Sequence, residues 1–357
     1  MAVRFSGGIG VAGQFRSFTL PDPTINFVAI TFGSNSNIYS SPDGITWTLT
    51  KSAWTPFAGH GTKVMHDGTK WLVMSADVLD SNRNKFATSP DGVNWTTYAV
   101  SGTPFGGGGR HLGGITVSGS TYIGASYDTI YTSTNLTTWN YVTTLGNSEN
   151  NIYNIWRNSA NGAYYLSSYR ASTQRFYLYV APTAVNSWTL QLNLQLTVTS
   201  NSSYVNTANM VFTGTKKFWH HSQISSGSGT LGTRVGAKSV TSNDWTTTTG
   251  AGTSSGWDGL AYGNGVVLGS VNSTLGLIVR NSNPESSTAF STANASAGAY
   301  PSGFSTYYCV NRLAFGSDKF VYLTSAGMKY STDNGSSWTL SNLTVNNLAT
   351  VGSKASV

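Results

Sequence analysis

Short apolar runs, each entered through a turn of small residues, recur along this chain. His66-Asp67-Gly68-Thr69-Lys70 leads into Trp71-Leu72-Val73-Met74, Tyr262-Gly263-Asn264-Gly265 into Val266-Val267-Leu268, and Gly316-Ser317-Asp318-Lys319 into Phe320-Val321-Tyr322-Leu323. Looser versions stand at Ser118-Gly119-Ser120-Thr121-Tyr122-Ile123 and Thr213-Gly214-Thr215-Lys216-Lys217-Phe218. Runs of four or five apolar or aromatic residues bounded by Gly, Asn, Asp and Ser are strand and turn signals.

Downstream of each run a tryptophan follows a second polar turn. The segments are Ser40-Ser41-Pro42-Asp43-Gly44-Ile45-Thr46-Trp47, Thr88-Ser89-Pro90-Asp91-Gly92-Val93-Asn94-Trp95, and Thr132-Ser133-Thr134-Asn135-Leu136-Thr137-Thr138-Trp139. Shorter copies end on Trp188 and Trp245, and Ser331-Thr332-Asp333-Asn334-Gly335-Ser336-Ser337-Trp338 closes the series. Trp245 and Trp338 lie 93 residues apart, and a degenerate copy, Asn281-Ser282-Asn283-Pro284-Glu285 running to Phe290, divides that gap. The spacings are then 48, 44, 49, 57, 45 and 48 residues. Each repeat reads as strand, tight turn, strand, variable loop, strand, turn, strand. Four strands in some 45 residues is the size of a propeller blade. The expected fold is all-β: a seven-bladed β-propeller of four-stranded blades over residues 19–357, one domain.

The first blade has a second strand at Asn26-Phe27-Val28-Ala29-Ile30 but no clear first one. Asn347-Leu348-Ala349-Thr350-Val351-Gly352 is similar to Gly259-Leu260-Ala261-Tyr262-Gly263, so the C-terminal strand is expected to pair into blade 1. That pairing closes the ring and removes free sheet edges. The residues left over, 1–18, form a Gly-rich N-terminal arm outside it.

Composition narrows the class. Charged residues make up 9% of the chain, so its polar character comes from Ser, Thr, Asn and Gly; with 13% aromatic residues and 11 Trp it still builds a core. The net charge of +7 is scattered, with no basic run longer than Lys216-Lys217, which argues against a nucleic-acid groove and for mild attraction to acidic surfaces. Cys309 is the single cysteine, which excludes an intrachain disulfide. Met1 to Phe15 lacks the continuous apolar stretch of a secretory signal, and no stretch approaches a membrane span, so synthesis in a cytoplasm without export is expected.

At its Trp-bearing turns the chain resembles the Asp-box (BNR, sialidase-like) propeller family, over about residues 25–352. Ser331-x-Asp333-x-Gly335-x-Ser337-Trp338 matches the family's Ser-x-Asp-x-Gly-x-Thr-Trp box. Asp43-Gly44 and Asp91-Gly92 depart from it, their Asp standing directly before Gly, and the other copies lack the Asp or the Gly. The resemblance marks a fold. Asp43, Asp91 and Asp333 are read as turn formers that accept backbone N–H groups, Gly44, Gly92 and Gly335 as the residues that turn the chain, and Trp47, Trp95, Trp139, Trp188, Trp245 and Trp338 as packing between blades.

Sialidases of this family carry an arginine triad, a Tyr–Glu nucleophile pair, an acid/base Asp and an Arg-Ile-Pro motif before the first box. No such motif precedes Trp47, and of the two glutamates Glu285 sits inside a degenerate box while Glu149 falls between blades. Glycoside hydrolysis needs two carboxylates flanking one bond, and no pair is specified by spacing; no catalytic residue is assigned. No metal or other cofactor is expected. His220 and His221 are adjacent and point to opposite faces of a strand. His60 and His111 follow matching Thr-Pro-Phe segments and are read as loop residues. The Gly106-Gly107-Gly108-Gly109-Arg110 run lacks the strand-to-helix setting of a phosphate loop.

The tight turns are expected on one face of the ring and the long connections on the other. Functional contacts concentrate on loops held by a rigid scaffold. The candidate binding face therefore comprises Trp54, His60, Arg83, Arg110, His111, Tyr169, Arg170, Arg175 and Tyr204, with the tyrosine-rich blade 4 as a possible sugar platform. The expected function is a non-enzymatic structural or binding propeller of the degenerate kind found in bacteriophage virion proteins: a tail, fibre or head-decoration protein. Its arm would dock on other virion proteins and its loop face on host-surface polysaccharide, with no nucleic acid and no membrane insertion. A sialidase-like glycan-active enzyme or surface glycan-binding protein, and a cytoplasmic protein–protein scaffold, are the alternatives.

Overall fold

The structure is a computed structural model. It describes residues 24–31, 36–54, 62–75, 85–100, 112–146, 150–170, 173, 175–183, 185–195, 204–225, 230–239, 246–247, 257–271, 276–287, 289–298 and 311–354. The N-terminal arm, Cys309, Glu149 and the Gly106–Gly109 run lie outside the described residues.

The described strands pair into seven four-stranded antiparallel sheets, and the fold is a β-propeller. Six sheets are meanders of consecutive strands. The seventh is not: Leu348–Ser353 pairs with Phe27–Thr31, which pairs in turn with Ser36–Ser41 and Thr48–Trp54. Phe27 faces Ser353 and Ala29 faces Val351 across this join, so the C-terminal strand completes the first blade. With blade 1 the one that carries Trp47, the inner strands of blades 1 to 7 are Leu348–Ser353, Thr62–His66, Leu112–Ser118, Asn150–Arg157, Tyr204–Phe212, Trp257–Gly263 and Leu313–Gly316.

The core is not central. Among the described residues it lies in separate apolar clusters, each shared by two consecutive blades. Blades 1 and 2 share Val28, Ile30, Ile38, Val64, Trp71 and Val73, for example, and blades 7 and 1 share Val321, Leu323, Met328, Phe27, Ala29 and Trp47. Both faces of each sheet are thus interior. That is why the second strands read as unbroken apolar runs and not as an in–out alternation.

The tryptophan at the end of each turn belongs to the interface with the preceding blade. Trp47 packs in the 7–1 cluster, Trp95 in 1–2, Trp139 in 2–3, Trp188 in 3–4 and Trp338 in 6–7. Phe290 fills this place in blade 6, edge-on to Trp257 and Phe218 at 5.1 and 5.8 Å. Trp245 lies outside the described residues.

The inner strands approach one another closely, and glycine permits it. A Cβ on Gly114 would come within 2.5 Å of the backbone nitrogen of Ile155 in the next blade, and one on Gly352 within 2.8 Å of the Val64 carbonyl oxygen.

Candidate functional site

Antiparallel pairing puts the turns between first and second strands, and those between third and outer strands, on one face of the ring. The second kind carry the Trp. In blade 1, Gly44 N–H donates to Ser41 Oγ at 2.8 Å, Ile45 and Thr46 N–H donate to Asp43 Oδ1 at 2.9 and 2.8 Å, and Trp47 Nε1–H donates to the Gly44 carbonyl at 3.0 Å. Blade 2 repeats the carboxylate bonds with Ser89, Asp91, Val93 and Asn94. Blade 7 repeats the scheme with one more residue between Asp333 and Trp338. The shortened turns of blades 1 and 2 therefore keep the serine–aspartate relation and lose one residue after it.

Blade 3 makes the same turn without Asp or Gly. Asn135 Oδ1 accepts from Thr137 and Thr138 N–H, and Leu136 takes the position of the glycine at φ 67°. Its carbonyl accepts from Trp139 Nε1–H at 3.0 Å. Burial raises the pKa of the Asp43, Asp91 and Asp333 carboxyls, but the turn hydrogen bonds more than offset it and hold all three below the usual range.

These turns also fasten neighbouring blades. Tyr122 of blade 3 donates its hydroxyl to Asp67 Oδ2 of blade 2 at 2.7 Å, and burial together with that carboxylate pushes the phenol pKa up. Ser317 of blade 7 donates to the Pro42 carbonyl of blade 1 at 3.0 Å. Glu285 of blade 6 accepts from Gly214 and Thr215 N–H of blade 5, at 2.8 Å each, and from the Thr215 hydroxyl.

Two buried polar groups sit deeper. The Arg312 guanidinium and the Asp258 carboxylate form a fully buried ion pair between blades 7 and 6. Ser270 Oγ–H donates to Asp258 Oδ1 at 2.5 Å, Arg312 Nη2–H donates to the Leu323 carbonyl at 2.5 Å, and the guanidinium lies 5.0 Å from the Tyr322 ring centre. Burial foremost pushes the Tyr322 hydroxyl up to about 12. His220 is fully buried beside Trp257, neither ring nitrogen makes a hydrogen bond, and burial pushes its pKa down to about 3. Nothing in the sequence pattern paired Asp258 with Arg312, which stands 54 positions away.

The candidate binding face does not assemble as expected. Tyr169 is buried, its ring 5.1 Å from that of Phe176. Tyr164, Tyr165, Tyr177 and Tyr179 are buried as well. The blade 4 platform is thereby corrected: both faces of that sheet meet other blades, so alternation sends no ring to solvent. Trp54 and Tyr204 stand at strand ends, in Thr48–Trp54 and Tyr204–Phe212, not on loops. In blade 5, Lys216–Ser225 and Thr230–Ser239 are long paired strands. Arg170 and Arg175 are brought together as a directly opposed cross-strand pair at the loop-face end of blade 4, half-buried. His60, Arg83, Arg110 and His111 lie outside the described residues.

The seven inner strands enclose an axial lumen of about 280 Å³. Lys63, Thr116, Asn154, Asn209, Asn311 and Thr350 line it, from six different blades. Lys63 Nζ bonds Asn154 Oδ1, two blades away, and reaches the Ile115 carbonyl of the blade between at 3.4 Å. Sequence reading missed this site because it consists of one residue per repeat, dispersed over the whole chain. Among the described residues no group of three His, Cys, Asp or Glu side chains is placed to hold a metal ion, and no helix is long and apolar enough to cross a membrane.

No protein-family model and no curated protein matches the chain. Solved structures do. A hydrazine synthase of Kuenenia stuttgartiensis superposes with a TM-score of 0.53 at 12% identity, covering 90% of this chain and 98% of that one. A protein of unknown function from Desulfotomaculum acetoxidans gives 0.54 at 11% identity, with the same coverages. YCF48 bound to D1 peptide gives 0.50 at 12% identity, covering 78% and 81%. The likeness is one of fold: this chain is a β-propeller.

Proposed function

We propose that this chain is a non-enzymatic assembly propeller of the degenerate Asp-box type, a component of a bacteriophage virion. The observation that carries the non-enzymatic part is the use of carboxylates among the described residues. Asp43, Asp91 and Asp333 hold their own turns, Asp67 holds its own turn and binds blade 3, Glu285 binds blade 5, and Asp258 is neutralised by Arg312. A hydrolase of the sialidase kind needs acids free to exchange protons with substrate, and these carboxylates are fixed as acceptors. The virion assignment rests on composition: few charges, much Ser, Thr, Asn and Gly, worn repeats and a Gly-rich segment ahead of the ring, suited to docking on a neighbouring structural protein. In this reading the propeller is made in the host cytoplasm, carries no cofactor, and presents its loop face outward, where Arg170 and Arg175 suit an acidic polysaccharide.

Mass spectrometry and cryo-electron microscopy of the native source particle test this. A fixed copy number, with residues 1–18 against a neighbour, is the expected result. A chain absent from any particle, or turnover of a fluorogenic sialoside by the isolated protein, overturns it.

A further inference from the structure

Each inner strand runs out at the tight-turn face, and its last or next-to-last residue stands at the mouth of the lumen there. In blades 4 to 7 these residues are Arg157, Phe212, Tyr262 and Phe315, all half-buried and all lining the lumen. The three aromatic side chains cap the seams between blades. Phe212 rests on Tyr165 of blade 4 with ring centres 5.5 Å apart, and Tyr262 packs on the cluster shared by blades 5 and 6. Phe315 lies 4.8 Å from Phe320, and so close over Gly263 of blade 6 that a Cβ there would overlap its ring. Packing on one side holds each ring in place and leaves the rest of it to the mouth. Arg157 completes this arc. Its guanidinium makes no hydrogen bond or ion pair to any described residue, and its Nε is buried without an acceptor. A Cβ on Gly162 would stand 3.8 Å from Nη2, which sets the group against the first turn of blade 4, level with the mouth. No carboxylate lines the lumen among the described residues. Lys63 is already engaged with Asn154 and takes no part. A guanidinium that has lost water on one side, with no acceptor in its place, gains more from a carboxylate than a fully hydrated one does.

We propose that the tight-turn mouth of the lumen binds a small carboxylic acid with an aromatic body, its carboxylate on Arg157 and its ring among Phe212, Tyr262 and Phe315. The planar guanidinium matches a carboxylate with two parallel N–H bonds, and aromatic rings receive another ring edge-on or offset. The apolar wall beside the charge strengthens the ion pair. A volume of about 280 Å³ suits one such compact ligand. Both halves are needed: an acid without a ring gains only a half-exposed ion pair, and a ring without an acid leaves Arg157 as it is. The site lies on the face opposite the long loops. It belongs to the isolated propeller and holds whether or not the chain belongs to a particle.

Isothermal titration on the full-length protein tests it. Phenylacetate and indole-3-acetate are the probes, with acetate (the acid without the ring) and benzyl alcohol (the ring without the acid) as controls, all at equal ionic strength. The expected result is saturable binding of one equivalent of an aryl acid, with neither control saturating in the same millimolar range. Arg157→Met should weaken that binding about tenfold or more, and Phe315→Leu should weaken it severalfold. Failure of both aryl acids to saturate at millimolar concentration overturns the proposal. So does acetate or benzyl alcohol binding as tightly as they do, or unchanged affinity in a folded Arg157→Met protein. Should circular dichroism show that Arg157→Met does not fold, Phe315→Leu decides, and wild-type affinity there also overturns it.

Discussion

Glu285 and Thr215, in adjacent blades, are joined twice: the Thr215 backbone N–H and its hydroxyl both donate to the Glu285 carboxylate. The turn that carries Glu285 is the degenerate one, without Asp, Gly or Trp at the usual places, and its acid serves the neighbouring blade. Burial raises the Glu285 pKa slightly, and the bonds from Thr215, Thr213 and Gly214 more than offset it and hold the acid below the ordinary range. Because the group is exposed, its contribution is small. Glu285→Ala is expected to lower unfolding stability by about 1 kcal/mol. Urea denaturation above pH 6 checks this, and an effect that persists unchanged at pH 3, where the unfolded-state acid is protonated, would contradict it.

The Arg312–Asp258 pair is a different case, because neither partner reaches water. Arg312→Met leaves a buried carboxylate opposed by Ser270 alone, and a loss of about 3–5 kcal/mol is expected. The double variant Arg312→Met with Asp258→Asn should recover much of it. A double-mutant cycle by chemical denaturation measures the coupling, and additive losses would show that the pair does not act as a unit.

His220 predicts a pH dependence. Its pKa is about 3 in the fold and near 6.5 in an unfolded chain. Between these values the unfolded state binds a proton that the native state refuses. The stability associated with neutral His220 is full above about pH 6.5 and is lost as the pH falls toward 3, by up to about 1.4 kcal/mol per pH unit. His220→Phe should flatten the stability profile between pH 6.5 and 4.5. A wild-type slope in the variant would mean that other groups control acid unfolding.

Closure of the ring depends on one strand. Truncation after Asn346 removes Leu348–Ser353, exposes the paired edge of Phe27–Thr31 and opens the 7–1 interface, which contains Leu348 and Val351. Aggregation, or loss of cooperative unfolding, is the expected outcome in size-exclusion chromatography and calorimetry. A monomer that melts like the intact chain would show that closure is dispensable.

Gly114→Ala tests the crowding of inner strands. Its Cβ would meet the backbone of Ile155 and Asn154, and backbone cannot rotate aside as a side chain can. A loss of about 1–3 kcal/mol is expected. Gly265→Ala, with nothing within 4 Å of the added atom at φ 73°, should cost about 1 kcal/mol of backbone strain alone. Denaturation midpoints of the two variants separate the effects.

Much of this fold was legible in the sequence. The Trp-bearing turns recur at a spacing of one blade, and the likeness between residues 347–352 and 259–263 pointed to the closing strand now seen beside Phe27. The candidate site was less legible. Tyr169 looked like a platform because an aromatic residue near a loop reads as exposed in a two-layer sheet. In a propeller both faces of the sheet are interfaces, so the same ring is core. Asn135 and Leu136 did not match the turn pattern by residue type, yet Asn supplies the same side-chain oxygen and Leu136 adopts the positive φ.

The sequence by itself determined what is local: strand length, turn chemistry, the repeat and its closing strand. Each of these depends on residues within a few positions of one another, or on a repeat that shows itself by similarity. Tertiary structure alone decided what is shared between blades. Asp258 meets Arg312, Glu285 meets Thr215, and Lys63 meets Asn154 across 91 positions, because curling seven sheets into a ring brings equivalent depths of distant repeats together. No spacing rule encodes that proximity, since it arises from the angle between blades and not from any segment of the chain.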